Sequence, residues 1–181
     1  LQSLGVRVAA PLGRALTVSF DQRRHVGAGD RPGSWMAVAF RIPLESARDD
    51  VERAWMSVVA RHGALNTAFS RGDDAELVLT EALALDGEWS EHPVADGADP
   101  REVLRAVLDQ ACTPFSRPSH RLALVTPTAQ EGADPRPMVV VASDHSHVDM
   151  WSLLVLARDL RAALDGPDLA SDVAVPSFAE H

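Results

Sequence analysis

The sequence predicts an α+β fold, an α/β sandwich in which helices flank a mixed sheet. Short β-branched runs, of which 138–142 is the clearest, have the composition of buried strands. The segment 151–164 instead carries apolar residues at helical spacing. Strand-like and helix-like segments alternate along the chain, and no internal repeat interrupts them.

The first third of the chain predicts two strands and a helix. Residues 15–20 resemble an opening strand or extended segment, and 35–42 resemble a mostly buried strand. Ser46, with Asp49 three places later, provides an N-cap for a helix that should stop at Gly63. The apolar residues of that helix share one face, as is typical of an amphipathic helix.

The middle of the chain predicts a hairpin, an edge strand and a second helix. Residues 65–70 and 76–81 flank a charged turn, which indicates an antiparallel hairpin. Residues 88–94 predict a further edge strand. Asp99 and Pro100 begin the helix, because aspartate is a good N-cap and proline suits the first turn.

The last third predicts two strands and a helix. A strand at 121–125 is followed by a loop at 127–137 that is rich in glycine, proline and charge. The strand 138–142 and the helix 151–164 come next. Prolines punctuate 166–181, which we expect to be an exit segment from one lobe toward an absent one.

Composition excludes several classes of function. The net charge of -9 argues against a general nucleic-acid binder, because phosphate binding requires a positive surface. No apolar run approaches the roughly 18 residues that span a bilayer, so we expect no membrane span. The single Cys112 fits a reducing cytoplasm and favours a small buried apolar role. The chain begins with Leu1, and we interpret it as part of a longer polypeptide.

The most informative stretch is 143–152, which joins the strand 138–142 to the last helix. It places His145 at a strand-to-helix corner, where a side chain can face a cleft at the rim of a sheet. An imidazole there can take up a proton near neutral pH, because its unperturbed pKa is about 6.5. Asp149 is better suited to a structural role than to that of a base.

Three ordered blocks resemble the condensation domains of nonribosomal peptide synthetases and the related chloramphenicol-acetyltransferase-like acyltransferases. Residues 19–24 resemble the family's Ser-x-Ala-Gln-x-Arg block, and 61–69 its Arg-His-Glu-x-Leu-Arg-Thr-x-Phe block. Residues 144–150 match the signature His-His-x-x-x-Asp-Gly, and 114–122 resemble the segment before it. The order of the blocks is more specific than any one of them.

The resemblance implies one of two lobes, each like a chloramphenicol acetyltransferase subunit, with the reaction in a tunnel between them. Residues 1–165 would be the amino-terminal lobe. His145 inherits the role of the signature's second histidine, which acts on an acceptor amine or alcohol as it attacks an acyl thioester. The thioester would be carried on coenzyme A or phosphopantetheine, with no tightly bound cofactor and no covalent enzyme intermediate.

The chain departs from the family pattern at three positions. Asp144 replaces the first histidine of the signature, Met150 replaces its glycine, and Asn66 replaces the arginine that often pairs with its aspartate. Asn66 cannot neutralise a carboxylate, so Asp149 needs another donor. Arg24 and Arg121 are the candidates for that donor. Together with Asp144 and Asp149 they are expected to support the structure of the site.

Two further interpretations concern the same stretch. The candidates for lining the tunnel are Ser146, His147, Met150 and Trp151. On an extended backbone His145, His147 and Asp149 would share a face and could bind a metal, but no fourth ligand is evident and we predict none. Three of the four tryptophans, at positions 35, 55 and 151, are interpreted as core residues.

Two classes of function follow. The first is an acyltransferase or condensation catalyst in natural-product or lipid biosynthesis, nearly inactive as an isolated lobe. The second is a catalytically degenerate lobe that binds a carrier protein or a partner enzyme. In both cases the face meant for the missing carboxy-terminal lobe would be apolar, so we expect self-association.

Overall fold

A computed structural model describes residues 1–10, 13–127 and 134–166. Apart from Gly166, the exit segment predicted at 166–181 lies outside the described residues. The elements follow one another as β1 (Gln2–Val8), β2 (Ala15–Leu16), α1 (Phe20–Val26), β3 (Trp35–Arg41), α2 (Arg48–Arg61), β4 (Thr67–Arg71), β5 (Leu77–Glu81), β6 (Ala84–Glu91), α3 (Pro100–Ala111), β7 (His120–Val125), β8 (Met138–Asp144) and α4 (Met150–Asp165).

The strands form two antiparallel sheets. The large sheet has the order β3-β8-β7-β1-β6, and the small one the order β2-β5-β4. The predicted α+β class is confirmed, but the expected mixed strand direction is wrong: every described pair is antiparallel. An apolar run indicates that a strand is buried, but it does not indicate whether the neighbouring strands run parallel or antiparallel to it.

The main core lies between the large sheet and the pair α2 and α4. Trp55 and Val58 of α2 and Leu153 of α4 are fully buried against Val141 of β8. The opposite face of β8 packs Ala142 against α3. Because both faces of β8 are covered, its sequence is continuously apolar rather than alternating.

A second cluster positions α1 beside the end of β8. Val26 of α1 packs on Phe69 of β4 and Leu79 of β5, and all three side chains are fully buried. The helix begins with a reciprocal capping box, in which Ser19 and Gln22 each satisfy the other's main-chain N–H. Packing on the small sheet therefore holds α1 in place beside the end of β8.

The observed boundaries confirm most of the predicted elements and correct three. The hairpin β4–β5, the edge strand β6 and the Asp99 N-cap of α3 are confirmed. Strand β1 was not predicted. Of the segment 15–20, expected to be extended, only Ala15–Leu16 forms a strand, and helix α1, which begins at Phe20, was not predicted. Helix α2 has Ala47 rather than Ser46 as N-cap, without a side-chain hydrogen bond.

Candidate active site

The corner between β8 and α4 is a compact turn built by its own main chain. The Asp144 carbonyl accepts hydrogen bonds from the N–H groups of His147 (3.0 Å) and Val148 (3.3 Å). Trp35 lies opposite Asp144 in the sheet, so the preceding Ser34 borders the corner, and its carbonyl accepts from the His145 N–H at 3.1 Å. The predicted strand-to-helix corner is therefore confirmed.

The His145 side chain is exposed and has a defined tautomer. Its Nδ1 lies 2.9 Å from the Val148 carbonyl oxygen. Because a carbonyl only accepts, Nδ1 carries the hydrogen and Nε2 keeps its lone pair. Nε2 is therefore the nitrogen that can accept a proton from a bound group.

His145 lines a cleft of about 710 Å³ between α1 and the corner. Gln22 ties the two sides together, because its Nε2 donates to the Ser146 carbonyl at 3.1 Å. Lining residues from α1 and the loop after it include Arg24, His25 and Arg31. The cleft thus joins the first and third sequence blocks in space.

Asp144 is fully buried and does not face the cleft as an open carboxylate. It accepts hydrogen bonds from the Ser34 hydroxyl, and from both the N–H and the hydroxyl of Ser146. His25 Nε2 lies 3.4 Å from its Oδ1. The carboxylate therefore organises the turn, and its predicted support of a catalytic site stays a prediction.

Asp149 is supported by Ser152 rather than by an arginine. Its carboxylate accepts from the N–H and the hydroxyl of Ser152, each at 2.7 Å, and so caps α4. These hydrogen bonds lower the pKa of Asp149. Arg24 lines the same cleft without bonding to Asp149 in the described structure, whereas Arg121 lies on β7 and lines a different cavity. Arg121, expected as a donor to the Asp149 carboxylate, does not have that role in the described structure.

Asn66 has a structural task of its own. Its Nδ2 donates to the Val59 carbonyl oxygen at 2.5 Å, near the end of α2. Helix ends leave main-chain carbonyls without partners, and a side-chain amide can satisfy one of them. Asn66 therefore secures the end of α2 and contributes nothing to the neutralisation of Asp149.

The four tunnel candidates divide into two pairs. Ser146 and His147 line the cleft with His145. Met150 and Trp151 do not line it, and they are 50% and 78% exposed. Trp151 is therefore not a core residue, because the first turn of α4 points it outward. That Met150 and Trp151 line a tunnel built with a second lobe stays a prediction.

His147 turns away from His145 and Asp149. Its Nδ1 lies 2.9 Å from the hydroxyl of Thr67, which itself donates to a main-chain carbonyl. Burial lowers the pKa of His147 to about 4. Within the described residues no group of three His, Cys, Asp or Glu side chains could hold a metal ion. The corner is a turn rather than an extended strand, so the alternation behind the metal interpretation does not apply.

His25 is a site residue that the sequence interpretation missed. Its ring packs edge-on against the ring of His145, with centroids 5.5 Å apart and planes at 85°. Gln22 and His25 are three residues apart, so they share one face of α1. A helical interpretation of residues 20–26 would have placed His25 beside the Gln22 of the first block.

Comparisons with known proteins bear on this arrangement. No protein-family model matches the chain. The nonribosomal peptide synthetase fso1 of Omphalotus olearius is 30% identical over 151 residues, which are 74% of this chain and 3% of that protein. The PapA2 acyl transferase superimposes with a TM-score of 0.63 at 14% identity, over 97% of this chain and 40% of that one. A variant of the starter condensation domain of rhizomide synthetase RzmA, in complex with C8-CoA, gives a TM-score of 0.58 at 16% identity, over 82% and 35% of the two chains.

The chain has a condensation-domain-like fold. The fold that the resemblance implied is thereby confirmed, and the two likenesses to solved structures concern the fold alone, so the second lobe and the tunnel stay predictions. This condensation-like chain spans well under half of each of the solved chains and a small fraction of the synthetase. Within the described ranges, none of its helices has both the length and the apolar character needed to cross a membrane.

Proposed function

We propose that the chain is the amino-terminal lobe of a condensation-type acyltransferase. It would transfer an acyl group from a coenzyme A or phosphopantetheinyl thioester to an amine or alcohol. The observation that carries this proposal is the Nε2 lone pair of His145, available in a cleft of about 710 Å³. The names of the PapA2 acyl transferase and of the C8-CoA complex support the thioester chemistry.

The proposed reaction needs one proton acceptor and close positioning. The acceptor N–H or O–H donates a hydrogen bond to Nε2 of His145, and its nitrogen or oxygen attacks the thioester carbonyl. The new C–N or C–O bond forms, the C–S bond breaks, and the acceptor's proton passes to Nε2. The sulfur leaves with the electron pair and becomes a thiol when it takes up a proton. Holding the two substrates together supplies a large part of the acceleration.

Several finer features belong to the same proposal. A carboxy-terminal lobe would close the cleft into a tunnel, so the 181-residue chain alone would be nearly inactive. A carrier protein or free coenzyme A would deliver the acyl group, and no cofactor would be tightly bound. The pathway would be a cytoplasmic route to a natural product or lipid.

The test compares native protein with a His145→Ala variant, both carrying the carboxy-terminal lobe. Octanoyl-coenzyme A serves as donor and a small primary amine as acceptor, with thiol release and amide formation both measured. We expect a loss of about 10² to 10⁴ in kcat for the variant. His92→Ala is the matched control, because His92 bonds to Ser3 away from the cleft. Equal rates in native and variant protein contradict the proposal.

A binding module is the second candidate function. Met150, Trp151 and Leu154 expose apolar area on one side of α4, next to the corner. Such a surface fits a partner protein, whether or not turnover occurs. Carrier-protein binding that survives in His145→Ala, together with thiol release at background level in native protein, would favour this candidate.

A further inference from the structure

The buried carboxylate of Asp144 has a neighbour that can carry positive charge. Asp144 is fully enclosed, and its hydrogen-bond donors are hydroxyls and a main-chain N–H. His25 Nε2 lies 3.4 Å from Oδ1, close enough to form an ion pair with it when the imidazole carries a proton on both nitrogens. A charge removed from water is costly unless an opposite charge compensates it. His25 is therefore suited to be the counter-ion of Asp144.

The geometry defines which nitrogen of His25 can act in the cleft. Nε2 is enclosed beside Asp144, and a carboxylate can only accept, so pairing of the two groups requires a hydrogen on Nε2. The 3.4 Å contact is longer than a formed hydrogen bond, but such contacts often tighten only when substrate binds. Nδ1 of His25, unlike Nε2, is not among the buried atoms. The His25 side chain lines the cleft beside His145, so Nδ1 is the nitrogen that can reach a bound group.

We propose that Asp144 and His25 form a carboxylate–imidazole dyad, and that His25 is a second acid–base residue that protonates the leaving thiolate. This inference rests on the proposed acyl transfer. Asp144 holds the tautomer and the orientation of His25, as a carboxylate does for a histidine in hydrolytic triads. His145 and His25 then divide the two proton transfers between them.

The step balances without a further reactant. The acceptor's proton moves to Nε2 of His145 as the new bond to the acyl carbon forms. The C–S bond breaks with its electron pair on sulfur, and the sulfur takes the Nδ1 proton of the His25 imidazolium. Solvent carries one proton from His145 back to His25. Thioester and amine thus give amide and thiol.

The leaving group provides a sharp test. Octanoyl-coenzyme A releases an alkyl thiolate that needs a proton, whereas octanoyl thiophenyl ester releases an aryl thiolate that is stable without one. We expect His25→Gln to lower kcat by about 10² with the first donor and by less than about threefold with the second, with KM little changed. His145→Gln should lose activity with both donors, and His92→Gln with neither.

Two results overturn the role of His25. The first is a His25→Gln variant as fast as native protein with octanoyl-coenzyme A. The second is a variant equally slow with both donors, since a defect independent of the leaving group indicates a structural role. His25→Asn and circular dichroism spectra of both variants check that the fold is kept.

A measurement independent of activity separates this inference from the proposed function. Nitrogen-15 chemical shifts of the labelled 181-residue chain report the tautomer of neutral His25 directly. We expect the Nε2–H tautomer in native protein and a mixture of tautomers in Asp144→Asn. The Nδ1–H tautomer in native protein overturns the dyad even if the variant does not fold. If native protein with both lobes turns over neither donor, the proposed function and the role of His25 in it fall together, and the tautomer alone decides the dyad.

Discussion

The ring of His120 packs edge-on against the indole of Trp55, with centroids 5.4 Å apart and planes at 78°. Neither ring nitrogen of His120 nor the indole N–H makes a hydrogen bond of normal geometry in the described structure, although the Leu65 main chain lies near enough to His120 to favour its protonated form slightly. Burial first, and then His147 and Arg121, lower the pKa of His120 to about 3. His120 is therefore a neutral histidine in the native core.

We predict that acid destabilises the fold through His120 and His147. Unfolded histidines titrate near pH 6.5, so below that pH the unfolded state binds more protons. The stability is complete above pH 6.5 and falls as the pH drops toward the native pKa values of about 3 and about 4. Each group contributes a loss of about 1.4 kcal/mol per pH unit in that window. Urea unfolding at a series of pH values between 7.5 and 4.5 measures it.

The matched variant for this prediction is His120→Leu. It removes one of the two titrating groups, so its free energy of unfolding should fall less steeply over the same range of pH. A slope identical to that of native protein would show that burial of His120 is not the cause.

Cys112 is predicted to be unreactive in native protein. Its thiol is 1% exposed, and burial raises its pKa to about 12. Because the thiolate is the reactive form, iodoacetamide should label it only when the chain unfolds. The control is labelling in urea, which should be complete. Rapid labelling of native protein, followed by mass spectrometry, would contradict the placement of α3 on β8.

The carboxylate of Asp159 connects α4 to α2 through ion pairs. We predict that its replacement strongly lowers the stability of the fold. It lies 2.9 Å from His62 Nε2, 3.3 Å from Arg61 Nε and 2.7 Å from Arg158 Nη2. Burial acts to raise the pKa of Asp159, but hydrogen bonds from Arg158 and His62 outweigh it and lower the pKa.

Asp159→Asn should therefore lower the free energy of unfolding by about 3 kcal/mol, because it removes a buried charge that Arg61, Arg158 and His62 all contact. Asp165→Asn, exposed at the end of the same helix, is the control and should change it by less than about 0.5 kcal/mol. Chemical denaturation of both variants decides the matter. Equal effects would argue against the network.

Two variants of Asp149, the N-cap of α4, separate the contribution of its hydrogen bonds to stability from that of its charge. Asp149→Ala should cost about 1 kcal/mol, the usual cost of losing an N-cap. Asp149→Asn should keep most of that stability, since asparagine caps helices equally well. If an arginine ion pair supported Asp149 instead, the asparagine variant would lose as much as the alanine variant. Thermal unfolding of the two variants measures the difference.

Self-association is predicted to depend on Trp151, which is 78% exposed beside the corner. Large exposed apolar side chains drive association when nothing covers them. Trp151→Ser should shift the chain toward the monomer in sedimentation velocity experiments at high concentration. Trp55 is buried and offers no such surface. A native chain that stays monomeric would refute the prediction.

Elements that depend on short sequence patterns, such as turns and helix caps, could be predicted from the sequence. The hairpin β4–β5, the Asp99 cap of α3 and the corner that carries His145 each depend on a few neighbouring residues. Such signals are complete within one segment, since capping and turn preferences act over three or four positions.

By itself, the sequence determined the α+β class, the order of most elements and the position of His145 at a corner. Only the tertiary structure decided what surrounds that imidazole. Gln22 meets Ser146 across 124 positions, and His25 reaches Asp144 across a similar separation. Arg121 lies on β7 and lines a cavity other than the one beside Asp149, and the described strand pairs are antiparallel. The physical reason is that these contacts depend on how buried apolar faces bring distant segments together, and no local preference specifies which polar groups then become neighbours.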